Sequence, residues 1–234
     1  MRKQLLLSLL AALSMNQSTS ANPSGFECIS GEAALSLVES SLLEITTGKQ
    51  SVIQWKDFSI DKHETTRFIM PDEHSTVVNR VLGGNVSEIL GKLEANGQVY
   101  LINPKGVLVG EGATVNTASF IASSFDLFDH EPRSVQAGAI VNLGSIRAAE
   151  VLLMGGEVTN TGIIDALGSV SQEGRVYLVA QGGTVQNSGI IKAENANRYG
   201  GRVILLGENV GVVDKGLIDV SGDFSGGSVF IGKS

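Results

Sequence analysis

The chain has 234 residues, 29 of them glycine and only 4 proline, with 42% hydrophobic and 5% aromatic residues. Abundant glycine with abundant aliphatic side chains excludes a disordered chain and points to many short strands separated by tight turns. A formal charge of -7, with no basic cluster beyond Arg2 and Lys3, argues against nucleic acid, whose phosphates call for a basic footprint.

Arg2 and Lys3 precede a mostly apolar run from Leu5 to Leu13, which is followed by polar Ser14 to Ser20. That order predicts a signal peptide over residues 1–21, cut after Ala21. The apolar run is about half of the ~20 residues a spanning helix needs, so stable membrane insertion is not expected. Cys28 is the only cysteine. An exported chain with one thiol has no internal disulfide, and its apolar context suggests a small buried hydrophobe. Residues 31–47 read as paired strands, and 22–50 are expected to form a cap over the first coils. In Val52-Ile53-Gln54-Trp55-Lys56-Asp57-Phe58, the two aromatics are expected in the core or cap. The charge-rich stretch 61–75 reads as a solvated hairpin or loop projecting from the body. Asn103-Pro104-Lys105-Gly106 predicts a type I or II turn, because Pro presets φ and Gly tolerates positive φ. Loss of the Asn103 side chain is expected to cost roughly 1 kcal/mol, the worth of one local hydrogen bond.

The second half repeats. Gly174-Arg175-Val176-Tyr177-Leu178-Val179 recurs 27 residues later as Gly201-Arg202-Val203-Ile204-Leu205-Leu206. In step with it, Asn160-Thr161-Gly162-Ile163-Ile164-Asp165-Ala166 matches Asn187-Ser188-Gly189-Ile190-Ile191-Lys192-Ala193, then Asp214 to Val220, with an earlier copy at Asn142 to Ala148. In each copy Gly162, Gly189 or Gly216 is expected to supply positive φ or close approach at a corner. Alternation then puts Ile164, Ile191 and Ile218 on one face and Asp165, Lys192 and Asp219 on the other. One such coil cannot bury its apolar face, whereas stacked coils share a continuous core. The expectation is a parallel β-helix with 51–130 as its first coils and 131–234 as regular coils. A β-sandwich also has short strands, but it does not explain a 27-residue recurrence.

Residues 79–107 read N-R-V-L-G-G-N-V-S-E-I-L-G-K-L-E-A-N-G-Q-V-Y-L-I-N-P-K-G-V. This stretch closely resembles the signature of the filamentous haemagglutinin N-terminal domain, the secretion domain of two-partner secretion exoproteins. Residues 107–124, with Ala113, Val115, Asn116 and Ala122-Ser123-Ser124, match the pattern that follows it, and the likeness runs from about Asn22 to the end. Lys105 departs from the usual Asn of the N-P-N-G turn, and the family's second motif, N-P-N-L, is not visible.

The resemblance implies an all-β, right-handed parallel β-helix with an N-terminal β cap and an extra-helical hairpin. It implies that the mature chain, 22–234, is recognised by an outer-membrane Omp85-type (TpsB) transporter and nucleates β-helix folding outside the cell. Export by the signal peptide, brief residence in the periplasm of a Gram-negative-type bacterium and release or surface display would follow. Candidate residues for recognition or folding are Asn79, Arg80, Asn103, Pro104, Lys105, Gly106 and Asn116. A host-cell surface is a second partner if the solenoid acts as an adhesin.

The residues offer little chemistry beside this. His63, His74 and His130 lack metal-ligand spacing, so neither metal nor cofactor is expected. Outward charges change sign from coil to coil (Arg147, Asp165, Lys192, Asp219), which suits solubility better than a row of catalytic carboxylates. Gly83-Gly84 has no phosphate-loop context. A carbohydrate-active β-helix enzyme is the weakest reading; no catalysis is expected.

Overall fold

A computed structural model describes residues 22–127, 137–169, 172–197 and 199–233. The signal-peptide reading of 1–21 and the reading of His130 fall outside those residues.

In chain order, β1 (Glu27–Ser30) and β2 (Ala33–Glu39) precede β3 (Leu42–Thr47), β4 (Gln50–Trp55), β5 (Thr65–Ile69) and β6 (Thr76–Val81). From there strands come in threes. The first two triplets are β7 (Ser87–Ile89), β8 (Lys92–Ala95) and β9 (Gln98–Ile102), then β10 (Val107–Val109), β11 (Thr114–Asn116) and β12 (Ser119–Ser123). Next come β13 (Ala139–Asn142), β14 (Ser145–Ala148) and β15 (Glu150–Gly155), then β16 (Glu157–Asn160), β17 (Ile163–Gly168) and β18 (Arg175–Ala180). The last are β19 (Thr184–Asn187), β20 (Ile190–Asn195) and β21 (Arg202–Leu206), then β22 (Asn209–Val212), β23 (Leu217–Asp219) and β24 (Ser228–Gly232).

Each triplet is one coil. Its first strand joins a six-stranded sheet, β7 to β22. Its second joins a nine-stranded sheet that runs from β2 and β3 to β23, and its third joins another nine-stranded sheet from β1 and β4 to β24. For brevity these are the short, middle and long-face sheets. From β3 and β4 onward every strand pairs in parallel with its counterparts one coil before and after. This is the expected parallel β-helix. Corners are bonded from coil to coil as well, as in Gly110 N–H to Ile89 O (2.8 Å) and Ser188 N–H to Asn160 O (2.8 Å).

The period-two alternation places the core. Val176, Leu178 and Ala180 of β18, Ile164 and Ala166 of β17, and Val158 of β16 are fully buried. Trp55 and Phe58 are core residues, meeting edge to face with ring centroids 5.5 Å apart. Only β1 and β2 run antiparallel, against β4 and β3. They cover the first coil's backbone at one end, where an open sheet edge would otherwise be presented. Cys28, on β1, is half-buried rather than buried.

One local expectation is corrected. Residues 61–75 do not project: β5 at their centre pairs with β3 and β8, and Thr66 and Phe68 point into the core. All the charges but that of outward-facing Arg67 fall in the turns on either side, which masked a five-residue rung. Of the two roles expected of the corner glycines, positive φ is not the one that Gly162, Gly189 and Gly216 take. They serve close approach instead: a Cβ on Gly162 would stand 2.1 Å from Gly144 O, and one on Gly189 would stand 2.1 Å from Gly162 O.

Candidate functional site

The motif Asn103 to Gly106 forms the corner where β9 leaves the long-face sheet and the chain turns toward β10. Gly106 N–H bonds Asn103 O at 2.9 Å, closing a four-residue turn. Gly106 has φ of +108°, and a Cβ there would stand 2.4 Å from Ala139 O in the next coil. Only glycine satisfies both conditions.

Asn103 has a larger part than its turn position suggests. Its side chain is fully buried. Oδ1 accepts from Lys105 N–H at 2.9 Å, while Nδ2 donates to Asn85 O and Ser87 Oγ, both at 2.9 Å. Asn85 and Ser87 lie where the same coil begins, so the amide ties that coil's end to its start. Ser87 N–H bonds Gly106 O at 3.1 Å, and Gly138 N–H of the next coil bonds Pro104 O at 3.0 Å. The single local bond expected from sequence is therefore a three-bond clamp. Pro104 and Lys105 alone of the tetrapeptide are exposed. Lys105 contributes its backbone to the turn and sends its side chain outward, which explains why the turn tolerates a departure from Asn.

Asn79 and Arg80 stand one coil earlier on β6, in register with Leu101 and Ile102, next to the corner. Asn79 is fully buried, accepts from Trp55 Nε1 at 2.9 Å and donates to Tyr100 O at 3.2 Å. One inward amide thus links β4, β6 and β9. Arg80 faces outward and pairs with Asp126 at 3.3 Å. Asn116 is elsewhere: it is exposed on β11 of the middle sheet, between Glu94 and Arg147 by register. The structure joins six of the seven candidates at one end of the long-face sheet and leaves Asn116 apart.

Two further constructions were not recognised from sequence. Asn142, Asn160 and Asn187 are fully buried and form a ladder, with Nδ2 of each of the first two donating to Oδ1 of the next at 2.7 Å. Each was visible as the first residue of the repeated element, but looked like a turn residue. On the middle sheet the outward row is Glu44, Arg67, Glu94, Asn116, Arg147, Asp165, Lys192 and Asp219. Arg67 pairs with Glu44 at 3.1 Å and Glu94 at 2.9 Å, and Arg147 with Asp165 at 2.9 Å. The hydrogen bonds that Arg67 donates to Glu94, and then to Glu44, raise its pKa further. The sign changes seen in sequence are thus an ordered row. Among the described residues no group of His, Cys, Asp and Glu is placed to hold a metal ion. What the arrangement does for the fold is close one coil on itself and tie it to the next.

Comparison with known proteins agrees with this geometry. The family model described as "TPS secretion domain" matches residues 39–232. A heme/hemopexin-binding protein of Haemophilus influenzae (strain ATCC 51907 / DSM 11121 / KW20 / Rd) is 35% identical over 173 residues, covering 67% of this chain and 19% of that protein. A second heme/hemopexin-binding protein from Haemophilus influenzae is 39% identical over 106 residues, covering 45% of this chain and 11% of its own length. The chain thus spans no more than about a fifth of these relatives. Among solved structures, the HMW1 secretion domain from Haemophilus influenzae superposes with a TM-score of 0.65 at 25% identity, covering 90% of this chain and 76% of that one.

Proposed function

Because the chain belongs to the TPS secretion domain family of two-partner secretion exoproteins, we propose that residues 22–234 direct export by engaging a cognate outer-membrane transporter of the Omp85 type (TpsB). Residues 1–21 act as the signal peptide that brings the chain to the periplasm, and the chain then folds outside as a β-helix. No catalytic role is assigned. The observation that carries the reading is the position of the signature: Asn79, Asn103 and Gly106 are inside the coils, whereas Arg80, Pro104, Lys105 and Asn116 lie outside. The inward residues are legible to a transporter only before the chain has folded. The outward ones also remain on the folded surface. A chain without a disulfide suits this route, since no cross-link obstructs threading.

The test is co-expression with a TpsB transporter from the same organism. Release into the medium should require that transporter, and equal release without it would refute the assignment. Lys105→Ala and Asn103→Ala, compared in the same assay, separate recognition of the turn from closure of the coil. An adhesin reading draws on one observation, the outward aromatics Tyr177 and Phe230 on the long-face sheet. Adhesion of the purified chain to host cells, abolished by Phe230→Ser, is its test.

A further inference from the structure

A cleft of about 620 Å³ runs along the corner where the middle-sheet strands turn into long-face strands. That volume lies in the usual range of small-ligand sites, ~300–1,000 Å³. Its length is set by coils: Gln98, Ser119 and Glu150 stand in register on β9, β12 and β15. Tyr100, Ile121 and Leu152 form a second row beside them. Glu73 and His74 close one end, and Leu167 lies toward the other.

Three features define what would fit. The second row offers a continuous apolar surface two residues inward of a polar one, so a ligand needs a flat apolar face and a polar rim. Thr117, on the cleft wall, is 7% exposed, and its hydroxyl has no hydrogen-bond partner. A buried polar atom of that kind calls for an explanation, and a ligand hydroxyl supplies one. The backbone at this corner is already paired from coil to coil, so no strand edge is available to a peptide that binds by β-addition. Burial, and then Glu150, push the Tyr100 phenol's pKa up, which keeps it a neutral donor near pH 7.

We infer that this cleft binds a short neutral oligosaccharide lying along the solenoid axis, about one pyranose ring per inter-strand spacing of ~4.8 Å. The ring's apolar face rests on Tyr100 and Leu152, while its hydroxyls meet Gln98, Thr117 and Glu150. Charge excludes the acidic sugars. Arg147 is held by Asp165 through Nε at 3.1 Å and Nη2 at 2.9 Å, so Glu73 and Glu150 dominate the local field.

The test is saturation-transfer NMR of the intact chain with cellotriose, chitotriose and trigalacturonate. Transfer from a neutral trisaccharide is expected, weakened at least about tenfold in affinity by Ala149→Trp, which fills the cleft from its half-exposed floor. Glu150→Gln, with the carboxylate removed, should weaken neutral binding and relax discrimination against trigalacturonate. Melting curves without sugar confirm that both variants fold, and Ser145→Trp, on the middle sheet away from the cleft, serves as a second bulky control. No transfer from either neutral sugar, binding unchanged in Ala149→Trp, equal loss in Ser145→Trp, or preference for trigalacturonate would overturn the inference. None of these results depends on secretion, so the transporter assignment stands or falls separately.

Discussion

Replacing Asn103 with alanine should destabilise the domain by about 3 kcal/mol, three times what its turn position alone suggests. The amide makes three hydrogen bonds at 2.9 Å, to Lys105 N–H, Asn85 O and Ser87 Oγ. At about 1 kcal/mol net each they sum to the stated figure. The buried Ser87 hydroxyl loses its partner as well, whereas Lys105 and Asn85 are exposed and can turn to water. Equilibrium urea unfolding of the purified chain should show a midpoint lower by about 1–3 M, given slopes of ~1–3 kcal/mol/M. Asn103→Asp keeps the acceptor for Lys105 N–H but sets a carboxylate oxygen against Asn85 O, so it should be no better than alanine at pH 7. Lys105→Ala should stay within about 0.5 kcal/mol of the parent. A loss below about 1 kcal/mol for Asn103→Ala would refute the coil-closing clamp.

Asn160→Val should cost about 3 kcal/mol by removing the acceptor of the short bond from Asn142 Nδ2 and the donor to Asn187 Oδ1, both buried. Replacing all three with Val should cost less than the single change, because the ladder's neighbours in register are already Val109 and Val212; urea midpoints of the single and triple variants decide. Gly162→Ala should unfold more readily than Gly112→Asn in thermal melts. The first would place a Cβ 2.1 Å from Gly144 O, whereas Gly112, at φ +79°, has nothing within 4 Å of that position. The Asp72 carboxylate is held below its ordinary 3.8, chiefly by the Ser75 hydroxyl. A depressed folded pKa gives stability that is present above the unfolded value and lost as pH falls through the folded one. Asp72→Asn should therefore lose less melting temperature than the parent between pH 7 and pH 3, as read by circular dichroism.

The coil architecture was legible because the repeat keeps inward aliphatics at Ile164, Ile191 and Ile218 while the outward residue changes freely. The Asn103 to Gly106 turn was equally legible, since Pro and Gly act on their own backbone. Interactions between coils were not. Asn160 reads as a turn former by its neighbours in sequence, and becomes a ladder rung only when Asn142 and Asn187 stack on either side. Thr66 and Phe68 were obscured because a rung borrows its hydrophobic surroundings from β3 and β8 rather than from its flanks. Asn103 followed the same rule, its decisive partners lying 16 and 18 residues back.

The outward row of the middle sheet carries a parity check. Its members run negative, positive, negative from Glu44 to Glu94, and positive, negative, positive, negative from Arg147 to Asp219, with neutral Asn116 between the blocks. In correct stacking each charge meets its opposite, as Arg147 meets Asp165 and Lys192 stands in register with Asp219. Skipping one coil would set Arg147 against Lys192, or Asp165 against Asp219, leaving the inward aliphatics nearly as well matched as before. Like charges directly opposite are unfavourable by some tenths of a kcal/mol. The hydrophobic repeat alone is almost blind to that slip, so this row supplies the error signal that a self-similar sequence lacks, and added salt should weaken it.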